Sequence, residues 1–82
     1  MSIDYSRLRS VTARHLIRAL HRDGSEFRRQ RGSHQRYVHP DGRKVTLPYH
    51  RPSGTFRVKA LPLMIEEQAR WTEDDLRRLG LL

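Results

Sequence analysis

The residues best suited to chemistry lie in one short segment, Gln30–Tyr37, whose sequence is QRGSHQRY. At its centre is His34, which directly follows Gly32 and Ser33. Four arginines surround this histidine in the sequence: Arg28, Arg29, Arg31 and Arg36. An imidazole exchanges protons near neutral pH, and a guanidinium binds phosphate oxygens two at a time. The segment therefore combines a proton-transfer group with phosphate-binding cations.

This combination fits the cleavage of RNA, which carries its own nucleophile in the 2′-OH. An enzyme then needs a base for that hydroxyl, cations for the phosphorane and an acid for the leaving oxygen. His34 is the candidate acid/base group, and Arg31, Arg36 and Lys44 are candidates to grip phosphates. Glycine also lets the backbone turn closely, so that free N–H groups beside the Ser33 hydroxyl can hold a phosphate. The second acid/base group is left open.

The residues alone leave other interpretations open. A histidine after Gly-Ser at the start of a strand is usually only a polar turn residue. Basic residues interleaved with Tyr37 and His39 are also typical of a non-catalytic RNA-binding surface, because aromatic rings stack on unpaired bases. A third alternative is an interaction domain whose basic face meets only an acidic partner. Separately, the acidic C-terminal tail could fold back over the basic sheet, in which case deleting residues 70–82 would raise the affinity for RNA.

Other kinds of site have little support. The five histidines lack metal-binding spacing, and the chain has no cysteine, no glycine-rich phosphate loop and no G-x-S-x-G motif. We therefore expect no metal and no cofactor. The start, Met1–Asp4, has no signal-peptide features, and no apolar run approaches the roughly 20 residues of a membrane span. These features predict a cytoplasmic protein that does not bind membranes.

The positive charge is concentrated in the first part of the chain. Of the formal net charge of +8, residues 1–59 carry 14 Lys and Arg against 4 Asp and Glu, whereas residues 60–82 carry 3 against 5. Twelve of the 14 cations are arginine. Such an excess in a small domain favours a polyanionic partner, most often a nucleic acid.

A helix, three strands and two further helices must position these residues. The first helix is predicted at about Ala13–Arg22, with Thr12 as its N-cap and Gly24 at its end. Its apolar stripe has the spacing i, i+3, i+4, i+7: Ala13, Leu16, Ile17 and Leu20.

Three short strands are predicted next, at roughly Glu26–Gln30, His34–His39 and Lys44–Pro48, with an Asp-Gly hairpin turn before the third. The third strand alternates apolar and polar residues, but the inward-facing residues of the first two are uncertain. A sheet this polar must expose one whole face.

A second helix is predicted from near Lys59 to about Ala69, with Ile65 at the centre of its buried side. A last short helix is capped by Thr72 and stopped by Gly80. The fold class is therefore α+β, in one domain over residues 1–82, with a core of about 10–69 and an acidic helical extension of about 70–82.

The first helix is followed in order by RQRGSH at 29–34 and HPDGRKVTLP at 39–48. In this combination, residues of about 10–50 resemble the HicA family of mRNA-interferase toxins. The resemblance implies a double-stranded-RNA-binding-domain-like fold (helix, three-stranded antiparallel sheet, helix) and metal-independent cleavage of mRNA. It also implies a HicB-type antitoxin that binds the toxin and blocks its active site, so the chain would be a monomer alone and a hetero-oligomer with that antitoxin.

The family's catalytic histidine in its G-S-H motif matches His34. Its Pro-x-His ending matches Pro48–His50, which places His50 near the site as an RNA-binding candidate. The full set of RNA-binding candidates is Arg28, Arg29, Arg31, Gly32, Ser33, Arg36, Lys44 and His50. Ser25, the segment 54–62 and the acidic tail depart from the family pattern, which makes the C-terminal packing and the antitoxin contact less transferable.

Overall fold

The computed structural model of the protein describes residues 3–82; Met1 and Ser2, part of the stretch tested for a signal peptide, lie outside it. The elements are a 3-10 turn (Tyr5–Leu8), helix α1 (Ala13–Arg22), strands β1 (Glu26–Arg31), β2 (His34–Val38) and β3 (Lys44–Pro48), helical segment α2 (Ala60–Pro62, continuing in π-helical geometry as Leu63–Gln68) and helix α3 (Glu73–Arg78). The predicted α+β class is confirmed, although the 3-10 turn and the π-helical geometry were not predicted. Within residues 3–82 no helix is long and apolar enough to cross a membrane.

Helix α1 begins and ends where its sequence predicts. The Thr12 hydroxyl accepts a hydrogen bond from the backbone N–H of His15, and Nδ1 of His15 accepts one from the Thr12 N–H, both at 3.3 Å. An imidazole thus takes the place of the usual carboxylate in a capping box. The N–H of Ala13, which has no partner within the helix, donates a hydrogen bond to the carbonyl of Gly54 at 2.8 Å.

The sheet is an antiparallel meander in the order β1-β2-β3, and its inner face packs on the helices. Tyr37, Val45 and Leu47 are buried at 3%, 3% and 0% exposure. Because side chains alternate along a strand, the residues between them point to the opposite face. His34 and Arg36 therefore face outward with Thr46, which settles the phase that the sequence leaves uncertain. This outer face is not covered by the helices, as the polar composition predicts.

Segment α2 covers the inner face beside β3. Its buried residues are Leu61, Met64 and Ile65, of which Ile65 is the predicted centre, and Pro62 lies in its first turn, where a missing N–H does no harm. The side-chain oxygen of Gln68 accepts a hydrogen bond from the backbone N–H of Thr46 at 2.9 Å. This contact satisfies a donor on the free edge of β3, which would otherwise be open to pairing.

The C-terminal tail packs into the core beside the end of α1. Leu76 is fully buried, and the carbonyl of Leu79 accepts a hydrogen bond from Arg22 at 3.4 Å. Thr72 caps helix α3 as predicted, and Asp75 completes a capping box with it. The idea that the tail folds back over the basic sheet is wrong, because its polar contacts go to α1 and the outer face of the sheet stays open.

The Asp23 carboxylate at the end of α1 joins three parts of the chain. Its side chain, 9% exposed, accepts hydrogen bonds from Nε1 of Trp71 at 2.9 Å and from Arg78 at 3.0 Å, and it pairs with Arg43 at 3.0 Å. The Asp23 backbone carbonyl accepts a hydrogen bond from Nε2 of His39 at 2.6 Å. Burial raises the pKa of Asp23, but the hydrogen bonds from Trp71 and Arg78 and the charge of Arg43 outweigh it, so the pKa lies below its ordinary value.

We predict that Asp23→Asn lowers the free energy of unfolding at pH 7 by on the order of 2 kcal/mol, because Trp71 and two arginines lose their shared anion. A carboxyl whose pKa is lower in the folded than in the unfolded chain stabilises the fold at pH values above the unfolded pKa of roughly 3.9. This contribution disappears as the pH falls through the folded pKa. The difference in the free energy of unfolding between wild type and variant should therefore narrow from pH 5 towards pH 3.

Urea unfolding followed by circular dichroism across this pH range measures the gap. Asp74→Asn is the matched control, because the Asp74 side chain is 95% exposed. A gap that is absent at pH 7, or that does not change with pH, would contradict the role given to Asp23.

Candidate active site

A tight turn places His34 at the first position of β2. Arg31 pairs directly with His34, so that only Gly32 and Ser33 form the loop between β1 and β2. Gly32 has a φ of 59°, whereas Ser33 is not among the residues with positive φ. This is the pattern of a type II′ hairpin turn, whose first position glycine occupies with least strain. The turn geometry therefore accounts for the glycine of the Gly-Ser-His segment.

A row of side-chain hydrogen bonds runs from the core to this turn. The Tyr37 hydroxyl donates to Gln35 at 2.9 Å, Gln35 donates to Gln30 at 3.1 Å, and Gln30 donates to the carbonyl of Gly32 at 3.0 Å. Because Tyr37 is buried, the row connects the turn to a fixed point. Neither glutamine was predicted as a site residue. The feature that could have identified them is the register of the β1–β2 hairpin, which pairs Gln30 with Gln35 on the face of Tyr37.

His34 opens onto a cavity of about 280 Å³ on the outer face of the sheet, lined by Arg29, Arg31, His34, Arg36 and Thr46. Arg31 lies directly across from His34, and Arg29 directly across from Arg36. Thr46 was not predicted as a site residue, although the alternation of β3 places it on this face. Its hydroxyl accepts a hydrogen bond from Arg36 at 3.5 Å.

A second cavity, of about 340 Å³, adjoins the first and is lined by Arg28, Arg29, Arg36, Val38 and Lys44. The register of β1 against β2 shifts between Phe27 and Arg29, which makes Arg28 the extra residue of a β-bulge. Because of this bulge, Arg28 and Arg29, which are successive residues of β1, line the same cavity. Because Arg29 and Arg36 line both cavities, the two form one continuous depression, which we call the basic groove.

The five cations of the basic groove are not neutralised by the protein. Within residues 3–82, none of them lies within ion-pairing distance of a carboxylate: Arg28, Arg29, Arg31, Arg36 and Lys44. Like charges directly opposite each other on neighbouring strands destabilise a sheet. The pair Arg29 and Arg36 therefore carries a repulsion that a bound anion would relieve.

The other predicted site residues lie at the edge of the groove. Gly32 and Ser33 form the turn beside His34. The backbone N–H of Tyr49 donates to the carbonyl of Ser33 at 2.6 Å, which holds the segment after β3 against this turn. His50 follows directly and is exposed, but it lines neither cavity. The structure therefore brings His34 together with Arg29, Arg31 and Arg36, and leaves His50 outside.

The stacking role considered for Tyr37 and His39 is wrong. Tyr37 is 3% exposed and packs edge-on against His21 and Phe27. Nδ1 of His39 accepts a hydrogen bond from the N–H of Asp41 at 3.1 Å while Nε2 donates to Asp23, so the ring ties the β2–β3 turn to α1. Among residues 3–82, no three His, Asp or Glu side chains converge as metal ligands would.

Comparison with known proteins points to one family. A family profile described as HicA toxin of bacterial toxin–antitoxin systems matches residues 13–69. The matched range begins with α1, ends just after α2 and contains every residue of the basic groove. A search of curated proteins found no match.

We predict that Arg29→Gln raises the free energy of unfolding by about 0.5 kcal/mol at low ionic strength, because it removes the repulsion across β1 and β2. The gain should vanish in 1 M salt, where the screening length is only about 3 Å. Urea unfolding at the two salt concentrations measures it, with Arg57→Gln, an exposed cation of the loop before α2, as control. A destabilised Arg29→Gln variant would show that the arginine contributes packing rather than repulsion.

Proposed function

Because the chain belongs to the HicA family of toxins from bacterial toxin–antitoxin systems, we propose that it is an endoribonuclease that cleaves mRNA. The observation that carries this proposal is the position of His34, the one imidazole among the described residues that line the first cavity, beside three arginines. Such an enzyme meets its substrate in the cytoplasm, where we expect it.

In the proposed reaction the His34 imidazole takes the proton from a 2′-OH. The oxygen attacks the neighbouring phosphorus, the bond from phosphorus to the 5′ oxygen breaks, and the products are a 2′,3′-cyclic phosphate and a 5′-hydroxyl. The imidazolium formed in the first step carries a proton that can be returned to the leaving oxygen. The nucleophile is internal to the RNA, so no metal-bound water is required.

The arginines act on the charge that develops at phosphorus. Arg31 lies across the strand from His34, and Arg29 and Arg36 lie across from each other one step further along the groove. Strands β1 and β2 hold the backbones of these arginines side by side before substrate arrives, and Arg36 also donates a hydrogen bond to Thr46. Cations that need no rearrangement stabilise the phosphorane more than they stabilise the ground state.

The alternative of a non-catalytic RNA-binding module has lost its main support. It rested on the same positive charge and on Tyr37 and His39 as stacking platforms, and both rings are engaged within the fold. The groove that remains combines cations with one exposed imidazole, an arrangement better suited to proton transfer at a phosphate than to the recognition of bases.

We predict that His34→Ala lowers the rate of RNA cleavage by about 10²–10⁴-fold, because it removes the proton-transfer group. The variant should keep its affinity for RNA and its melting temperature, since His34 is exposed. Cleavage of an end-labelled RNA by purified protein in EDTA measures the rate, and the termini of the products identify the cyclic phosphate.

Two controls accompany this measurement. His21→Ala, on α1 behind the sheet, should cleave at close to the wild-type rate. A substrate with a single 2′-deoxy position at the cleavage site should resist the wild-type enzyme at that site. If His34→Ala cleaves RNA as fast as wild type, the assignment of His34 is wrong.

We further infer that a HicB-type antitoxin neutralises this toxin by covering the basic groove with carboxylates, in a hetero-oligomer. The unneutralised cations and the family of the chain support this inference. Co-expression with a HicB-type protein from the neighbouring reading frame should yield a complex that neither binds nor cleaves RNA. A complex that cleaves RNA as fast as the free toxin would contradict it.

A further inference from the structure

The basic groove has two chambers of different chemistry. The first contains His34, whereas the second, lined by Arg28, Lys44, Val38 and the shared arginines, has no group that exchanges protons near neutral pH. Four cations therefore converge where no reaction of the proposed kind can take place. This second chamber is suited to holding an anion unchanged.

The spacing of the chambers matches one nucleotide. His34, Arg36 and Val38 are alternate residues of β2 and all face outward, so each is about 7 Å from the next along the strand. The first chamber lies around His34 and Arg36, and the second around Arg36 and Val38. Their centres are thus about two residues apart, or about 7 Å, a distance comparable to one extended sugar–phosphate repeat.

We propose that the second chamber is a subsite for the phosphate next to the scissile one, so that the groove binds two consecutive phosphates of one RNA strand. Arg28 and Lys44 hold the non-reacting phosphate, and Arg29 and Arg36 contact both. The proposal rests on the proposed function for its reacting phosphate, but the binding of two phosphates can be tested separately.

Charge supports this assignment of the second chamber. One phosphate at His34 would leave Arg28 and Lys44 without an anion, whereas a second phosphate relieves the repulsion among all five cations of the groove. Binding of the non-reacting phosphate also positions the RNA strand. Part of this binding energy is therefore used to align the 2′-OH with the phosphorus that it attacks.

The lining also determines what the groove can select. Among the described residues, the His34 imidazole is the only aromatic ring that lines either chamber. Base stacking, the usual source of sequence-tolerant affinity for single strands, therefore contributes little here. Recognition depends on the backbone charge and should weaken steeply with salt.

Removing the charge of single phosphates tests the proposal. The substrate is a 2′-O-methyl oligonucleotide with one ribonucleotide, which leaves a single cleavable position. A neutral methylphosphonate replaces the phosphate on the 5′ side of the scissile one, the phosphate on its 3′ side, or a phosphate three positions away. Wild-type enzyme should lose about tenfold in kcat/KM for one of the two adjacent replacements, and little for the distant one.

The combined variant Arg28→Gln/Lys44→Gln should reduce this difference. Its ratio of kcat/KM between the all-phosphate strand and the sensitive methylphosphonate strand should fall several-fold, because the non-reacting phosphate has then lost two of its four cationic partners. Arg57→Gln should keep the wild-type ratio. Melting temperatures of both variants show whether they are folded.

Two results would overturn the subsite. One is equal kcat/KM for all strands with wild-type enzyme, and the other is an unchanged ratio in the combined variant. The proposed function would survive either result, provided that the strands are cleaved.

A binding measurement separates the subsite from catalysis. Strands that lack the 2′-OH cannot be cleaved, and their affinity should show the same dependence on the adjacent phosphate and on Arg28 and Lys44. If this dependence is found while no ribonucleotide strand is cleaved, the two-phosphate groove stands and the proposed function fails.

Discussion

Burial of the Tyr37 ring against the helices decides which face of the sheet every strand residue occupies. In a strand of period two, a shift of one residue would exchange the two faces and bury His34 and Arg36. Tyr37 pairs with Val45 on β3 and, at 3% exposure, is as deep as that valine. The same ring begins the row of hydrogen bonds that reaches the Gly32 carbonyl. One buried phenol thus positions both the outward-facing groove and the turn from which His34 projects.

The groove has an energetic cost that other parts of the fold offset. Five cations without carboxylate partners weaken the sheet, which has few apolar residues of its own. The opposite side of the molecule supplies the compensation: Asp23 joins α1, the β2–β3 turn and the tail through Trp71, Arg43 and Arg78. Two further carboxylates are used in a similar way, because Asp41 and Asp75 also pair with arginines outside the groove.

The C-terminal tail is part of the domain rather than an appendage to it. The family profile ends at residue 69, yet Trp71, Leu76 and Leu79 are buried in the same core as α1 and α2. A chain of 82 residues with little apolar content gains much from these side chains. Because the tail packs behind the sheet, it enlarges the core without covering the basic groove.

The local sequence determined the elements and much of the site by itself. Capping residues, the apolar stripe of α1 and the Gly-Ser and Asp-Gly turns depend on interactions within a few residues, so they are readable in the chain. The G-S-H motif likewise marked His34, although the proposal that this histidine is catalytic came from family resemblance. Only the tertiary structure decided the inward phase of β1 and β2, the bulge at Arg28, and the burial of Tyr37 and His39. The physical reason is that these features follow from pairing and packing between residues far apart in sequence. An arginine in β1 and a lysine in β3 become neighbours in one groove only when β2 lies between them.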